Sequence, residues 1–134
     1  VIAAVALAVT VVGSRSCAVT DPGPEGAVRN MLAAASAGDR VAVYALLGPQ
    51  TRARLDERAR RATDVVGSSV RYSALDLISI GASRDVPPPT DLTVVERLDE
   101  RAVVEVVSAA GRARVVVVRV DGDWRIELPE YGAD

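Results

Sequence analysis

The chain is 134 residues long, 49% hydrophobic and 25% charged, with a formal net charge of −2. That length suits the core of one domain, and the charge is too evenly balanced for a nucleic-acid-binding footprint. With no His and a single Cys, the commoner zinc sites, His-dependent catalytic triads and an intrachain disulfide are all excluded. Lys and Phe are absent too, while Arg, Ala and Val abound. Arg, Ala and Val have GC-rich codons and Lys and Phe AT-rich ones, so coding bias accounts for the arginine content without phosphate recognition. The core must then be built from Val, Leu and Ala, since Tyr44, Tyr72, Trp124 and Tyr131 are the only aromatics.

Residues 1–16 read as a signal-type hydrophobic segment, 17–23 as a tether and 24–134 as the domain. Val1 to Val12 is apolar except for Thr10. As a helix it would span about 18 Å, short of the ~30 Å bilayer core, but it matches the hydrophobic region of a secretory signal. The sequence opens without Met, which implies that a charged leader precedes it. Ser14-Arg15-Ser16 is a small-x-small cleavage pattern, and Cys17 directly follows it. Cys17 therefore looks like the lipidated Cys of a bacterial lipoprotein, although Ser14 and Arg15 depart from the residues usual before it. Secretion with a free thiol and an uncleaved anchor are the alternatives. Stable anchoring at Cys17 would take several acyl chains.

Three helices are expected next. Val28, Met31, Leu32 and Ala35 fall on one helical face between Pro24 and Gly38. Asp39 can cap a second helix carrying Val43, Leu46 and Leu47, which Gly48-Pro49 ends. A third runs from Pro49 to Val66, with Leu55, Ala59, Ala62 and Val66 as its buried stripe and Gly67 closing it. It carries Arg52, Arg54, Arg58, Arg60 and Arg61, but Arg52–Asp56, Asp56–Arg60 and Glu57–Arg61 stand at i,i+4. Such pairs contribute ~0.2–0.5 kcal/mol each and suit a solvated face; a phosphate- or lipid-headgroup-binding face is the alternative.

From Val70 the period becomes two. Strands are expected at Val70–Ile80, Leu92–Leu98, Arg101–Ser108, Arg112–Val120 and Trp124–Leu128, with the proline-rich stretch 83–89 as an exposed loop. Asp121-Gly122 is a strong hairpin signal. With further two-residue turns at Asp99-Glu100 and Ala110-Gly111, Val95, Val104, Val106, Val115, Val117, Trp124, Ile126 and Leu128 share one apolar face that would cover the helices. The outer face would then hold Glu96, Glu105, Arg114, Arg125 and Glu127 in solvent, around a stripe of Val94, Val103, Val107, Val116 and Val118. That stripe is a candidate surface for homodimerisation or for docking an envelope protein, unless it reflects only the strand preference of Val. Helices first and strands after define an α+β domain, N-terminal helices packed on one face of a curved antiparallel sheet.

The chain resembles the nuclear transport factor 2-like superfamily, specifically its small bacterial envelope and lipoprotein-type members. The resemblance covers about Pro24 to Glu130. It is carried by Ala37-Gly38-Asp39 closing the first helix, by Leu47-Gly48-Pro49 closing the second, and by the terminal hairpin Val118-Arg119-Val120-Asp121-Gly122-Asp123-Trp124-Arg125-Ile126-Glu127-Leu128-Pro129. It implies a cone with a cavity between helices and sheet, and the superfamily includes both enzymes and non-enzymes.

An enzyme of the ketosteroid-isomerase or dehydratase kind would need a base and a neutral donor in that cone. Asp76 with Tyr72 or Tyr44 is the acid–donor pair this sequence can supply, provided Asp76 is buried with a raised pKa. A binding module needs an open apolar cavity, and Arg119 beside Trp124 could hold an anion or stack on the indole for ~0.5–2 kcal/mol, or simply lie over a core plug. An assembly protein needs a filled core and a bare outer sheet. The expectation is an exported, non-catalytic binding or assembly domain of the cell envelope. No cofactor or metal is implied and nothing points to nucleic acid; a membrane tether, if there is one, would be a lipidated Cys17 or the N-terminal segment.

Overall fold

A proline in the first turn and an Asp ahead of it mark the start of the first helix. In the computed structural model, which describes residues 21–67, 69–78 and 87–128, Asp21 Oδ1 accepts from the Gly23 N–H at 3.0 Å. Helix α1 (Gly23–Ser36) then runs with Pro24, whose missing N–H costs nothing there. Asp39 caps α2 (Arg40–Leu46), accepting from the Ala42 N–H at 2.9 Å, and α3 spans Pro49–Val66 with Gly67 beyond it at φ 89°. These boundaries are the expected ones. The buried stripe of α3 is shorter than expected: Leu55 and Ala59 are inside with Thr51, but Val66 is 51% exposed.

The expected strand Val70–Ile80 does not form over its described residues. Ala74–Leu77 is a single helical turn, α4, with the Asp76 side chain reaching back to Ser73 in a capping box. The misreading has a clear origin. Ala74 and Ile78, both buried, are four apart, a spacing that period two and period 3.6 satisfy equally.

Strands β1 (Asp91–Arg97), β2 (Arg101–Ser108), β3 (Gly111–Val120) and β4 (Asp123–Glu127) form an antiparallel curved sheet in sequence order. Asp121 and Gly122 turn β3 into β4 with φ of 51° and 86°, the doubly left-handed geometry of a tight hairpin, and Arg119 pairs with Trp124 as expected. The β2–β3 turn is Ala109-Ala110, with Ser108 opposite Gly111. The Ser108 hydroxyl, accepting from the Ala110 N–H at 3.2 Å, supports that position. The register is therefore two residues from the expected one, which leaves both faces unchanged.

The β1–β2 register starts as expected, Glu96 opposite Val103, and then breaks at a bulge between Val94 and Glu96. Beyond it the faces exchange. Val94 packs against the core and Val95 is exposed, the reverse of the expectation. The extra residue lets Leu92 and Val94 join the inner face while Arg97 still lies over Trp124.

The core lies in two clusters. Ala27, Val28, Ala102, Val104, Val117, Trp124 and Ile126 pack between α1 and the Trp124 end of the sheet; Val43, Leu47, Leu55, Ala74 and Ile78 join α2, α3 and α4. Met31 and Leu128 pack against both.

What joins the layers is a carboxylate expected in solvent. Glu127 is 7% exposed. One oxygen accepts from the Gln50 N–H at 3.0 Å; the other accepts from the Thr51 N–H at 2.8 Å and the Thr51 hydroxyl at 2.6 Å. The Thr51 hydroxyl oxygen in turn accepts from the Leu128 N–H at 2.9 Å. Gly48, the cap position of α3, has no side chain to do this, so the last strand supplies the cap and places a negative group at the positive helix end. A Cβ on Gly48 would overlap the Glu127 carboxylate. Glu127→Ala is expected to destabilise the fold by about 2–4 kcal/mol, since it strands the two buried donors of Thr51 and the half-buried Gln50 N–H. Gly48→Ala should also destabilise wild type, yet cost little on the Glu127→Ala background; additive losses in urea unfolding would show that the two positions do not touch.

Candidate functional site

Five of the expected site residues are placed by the structure and one falls outside it. Cys17 lies outside the described residues. Asp76 is exposed, and its carboxylate accepts from the Ser73 N–H and hydroxyl, each at 2.7 Å. The backbone bond first and the hydroxyl second hold its pKa below the ordinary carboxylate value, the opposite of what a general base in a cone requires. Tyr72 is exposed. The Tyr44 hydroxyl donates to Asp56 at 3.2 and 3.3 Å. Burial first, then that hydrogen bond and the carboxylate's charge, raise the phenol's pKa, against the Arg52 guanidinium 5.1 Å from its ring centroid.

Trp124 is 4% exposed and belongs to the core. Arg119 lies 5.8 Å from the ring centroid, and Arg97, which sequence reasoning missed, lies 5.7 Å from it. Arg119 also donates to the Gly122 carbonyl at 3.3 Å and pairs with Asp21 at 3.3 Å. The indole is therefore a core plug under guanidiniums, and the charge of Arg119 is directed at the start of α1.

The outer sheet face is narrower than the expected stripe. Val94 has moved inside, and Val103 is only 8% exposed. Ion pairs cross the face: Arg112–Glu105 at 3.4 Å, Arg114–Glu105 at 3.8 Å, Arg101–Glu96 at 3.8 Å and Arg125–Asp123 at 3.2 Å. Val107, Val116 and Val118 remain half-buried between them.

The larger apolar feature is a cleft of ≈ 380 Å³ between α1 and the half of the sheet farthest from Trp124. Helix α1 contributes Val28, Met31 and Leu32, and the sheet contributes Val106, Val115 and Ile126. Leu128 joins them from the end of β4. Pro87 and Pro89, expected in an exposed loop, are half-buried and also line it. Its described polar lining is confined to Ser108 and Arg112 at the β2–β3 end, with no carboxylate among the described residues. Tyr44, Tyr72 and Asp76 do not line it. It exists because the residues of β2 and β3 that face α1 here are Val106, Gly111, Ala113 and Val115, too small to fill the gap. No group of three potential metal ligands occurs among the described residues, and no described helix is long and apolar enough to cross a membrane.

Comparison with protein-family models, curated proteins and solved structures finds no match.

The capping role of Asp76 has a pH signature. Its folded pKa lies below that of the unfolded chain, so its contribution to stability is present above the unfolded carboxylate value. That contribution is lost as pH falls through the folded one. Asp76→Asn should lower the melting temperature near neutral pH, with the gap to wild type closing on acidification; a pH-independent gap would refute an ionised cap.

Proposed function

We propose that this chain is an exported, non-catalytic binding domain of the bacterial cell envelope, of the nuclear transport factor 2-like kind, that takes an apolar ligand between α1 and the sheet. The observation that carries this reading is the cleft bounded by Val28, Met31, Leu32, Val106, Val115 and Leu128. Its volume falls in the range of small-molecule sites, and such sites are apolar with a few polar groups at one end, the place that Ser108 and Arg112 take here. The arrangement of helices before a curved antiparallel sheet is compatible with the superfamily.

The competing isomerase or dehydratase reading rests on Asp76 with Tyr72 or Tyr44. An exposed carboxylate with a lowered pKa and a phenol already bonded to Asp56 give it little support. Homodimerisation through the outer sheet has lost two of its five valines as exposed surface.

An uncharged environment-sensitive dye such as Nile red is expected to bind the full chain at one saturable site. Val106→Phe and Ala113→Phe, which fill the cleft, should each weaken it at least about tenfold, the loss expected when a large aromatic takes the space of the ligand. Dye binding that does not saturate, or that is unchanged in both variants, overturns the reading. Export and anchoring are checked separately: mass spectrometry of the cell-envelope form should find Cys17 acylated, and an unmodified peptide spanning residues 14–20 refutes the lipid anchor.

A further inference from the structure

The charges beside the α1–sheet cleft all point away from it. Arg112 is the one ionisable residue in its described lining. On β3, Arg112 pairs with Val107 and Arg114 with Glu105, whereas Ala113 and Val115, which line the cleft, pair with Val106 and the core residue Val104. Alternation therefore turns the Arg112 side chain to the outer face, where its guanidinium meets Glu105 at 3.4 Å. Asp91, opposite Val107, is on that face too and accepts from the Thr93 hydroxyl at 2.8 Å. Arg29, next to Val28 on α1, is exposed and does not line the cleft. No described residue thus offers a charge of either sign to a group inside it.

A single hydroxyl donor is offered instead. Ser108 follows Val106 on the inner side of β2 and is half-buried. Its oxygen accepts from the Ala110 N–H at 3.2 Å, and no described residue accepts its proton, which is left to donate. Ser108 stands opposite Gly111 at the β2–β3 turn, while Leu128 follows Glu127, the partner of Val116. The stretch of β3 from Gly111 to Val116 that separates them is roughly 17 Å long at the ordinary strand rise. The described lining between them is apolar throughout: Val106, Ala113 and Val115 from the sheet, and Val28, Met31 and Leu32 from α1. Met31 packs against both core clusters, and its unbranched thioether can shift to admit the end of a chain.

We propose that the ligand of this cleft is an uncharged single-chain lipid, an acyl chain in ester form, whose carbonyl oxygen accepts from the Ser108 hydroxyl and whose tail lies toward Met31 and Leu128. This rests on the reading of the cleft as a ligand site. Moving a carboxylate or an ammonium from water into such a lining without a counter-charge is costly. A carbonyl needs one donor there, and a polymethylene chain needs none. The length of the lining favours a chain over a compact ring.

The test is displacement of Nile red from the full chain by methyl decanoate, decanoate and decyltrimethylammonium, one chain length in neutral, anionic and cationic form. Each is used below the concentration at which it forms micelles, at a pH that keeps decanoate ionised. Saturable dye binding that Val106→Phe weakens first places the dye in the cleft. Methyl decanoate should then displace it at a concentration at least about tenfold lower than either ionic chain. Ser108→Ala should raise the methyl decanoate concentration required by about fivefold, the loss of one hydrogen bond, and leave displacement by decyltrimethylammonium unchanged. An ionic chain that displaces the dye as well as the ester does, or a folded Ser108→Ala variant with wild-type response, overturns this proposal while the binding reading stands. A dye that never occupies the cleft overturns both. If Ser108→Ala fails to fold, the wild-type ranking decides.

Discussion

The carboxylate of Glu127 holds the helical layer to the sheet. A helix that begins with Gly48-Pro49 has free N–H groups and no local side chain to meet them, and the group that meets them lies 77 residues away along the chain. The attachment is reinforced along the backbone, where the Gly48 N–H donates to the Ile126 carbonyl at 2.7 Å and Leu47 forms a parallel bridge to Ile126. Gly48 is required here for its lack of a side chain, since the Glu127 carboxylate occupies the space where a Cβ would lie. With the start of α3 attached to β4, the far end of the helix runs past the core.

Arginine completes the same junction. Arg52 and Arg125 both donate to the Ala45 carbonyl near the end of α2, Arg125 at 2.9 Å, and Arg54 donates to the Leu128 carbonyl at 3.2 Å. These guanidiniums satisfy carbonyls that no helix or sheet ladder reaches. The arginines of α3 thus divide by position: those near its start are structural, and those near its end face solvent.

The α1–sheet cleft follows from the division of the core. One cluster gathers at the Trp124 end of the sheet, the other among α2, α3 and α4, and Met31 and Leu128 touch both. The cleft opens beside that seam, where neither cluster extends and where small residues of β2 and β3 face α1. Its apolar lining is the unfilled continuation of the inner face of the sheet.

Local chemistry alone marked much of this structure. Proline, glycine and Asp39 bounded α1, α2 and α3, Asp121-Gly122 set the last hairpin, and alternation placed Val104, Val117, Trp124 and Ile126 on one inner face, because each of these depends on near neighbours in the chain. Tertiary structure decided the rest. A four-residue spacing could not choose between strand and helix at Ala74 and Ile78 until packing against α2 and α3 selected the helix, and the bulge at Val95 answers to the fit of Leu92 and Val94 against α1. Of the candidate site, the helical and strand faces that line the cleft were legible, but the void itself was not, since an unfilled volume is a property of the distance between layers. Glu127 was the least legible of all: alternation assigns a side chain to a face, whereas its burial came from a distant helix end that needed an acceptor.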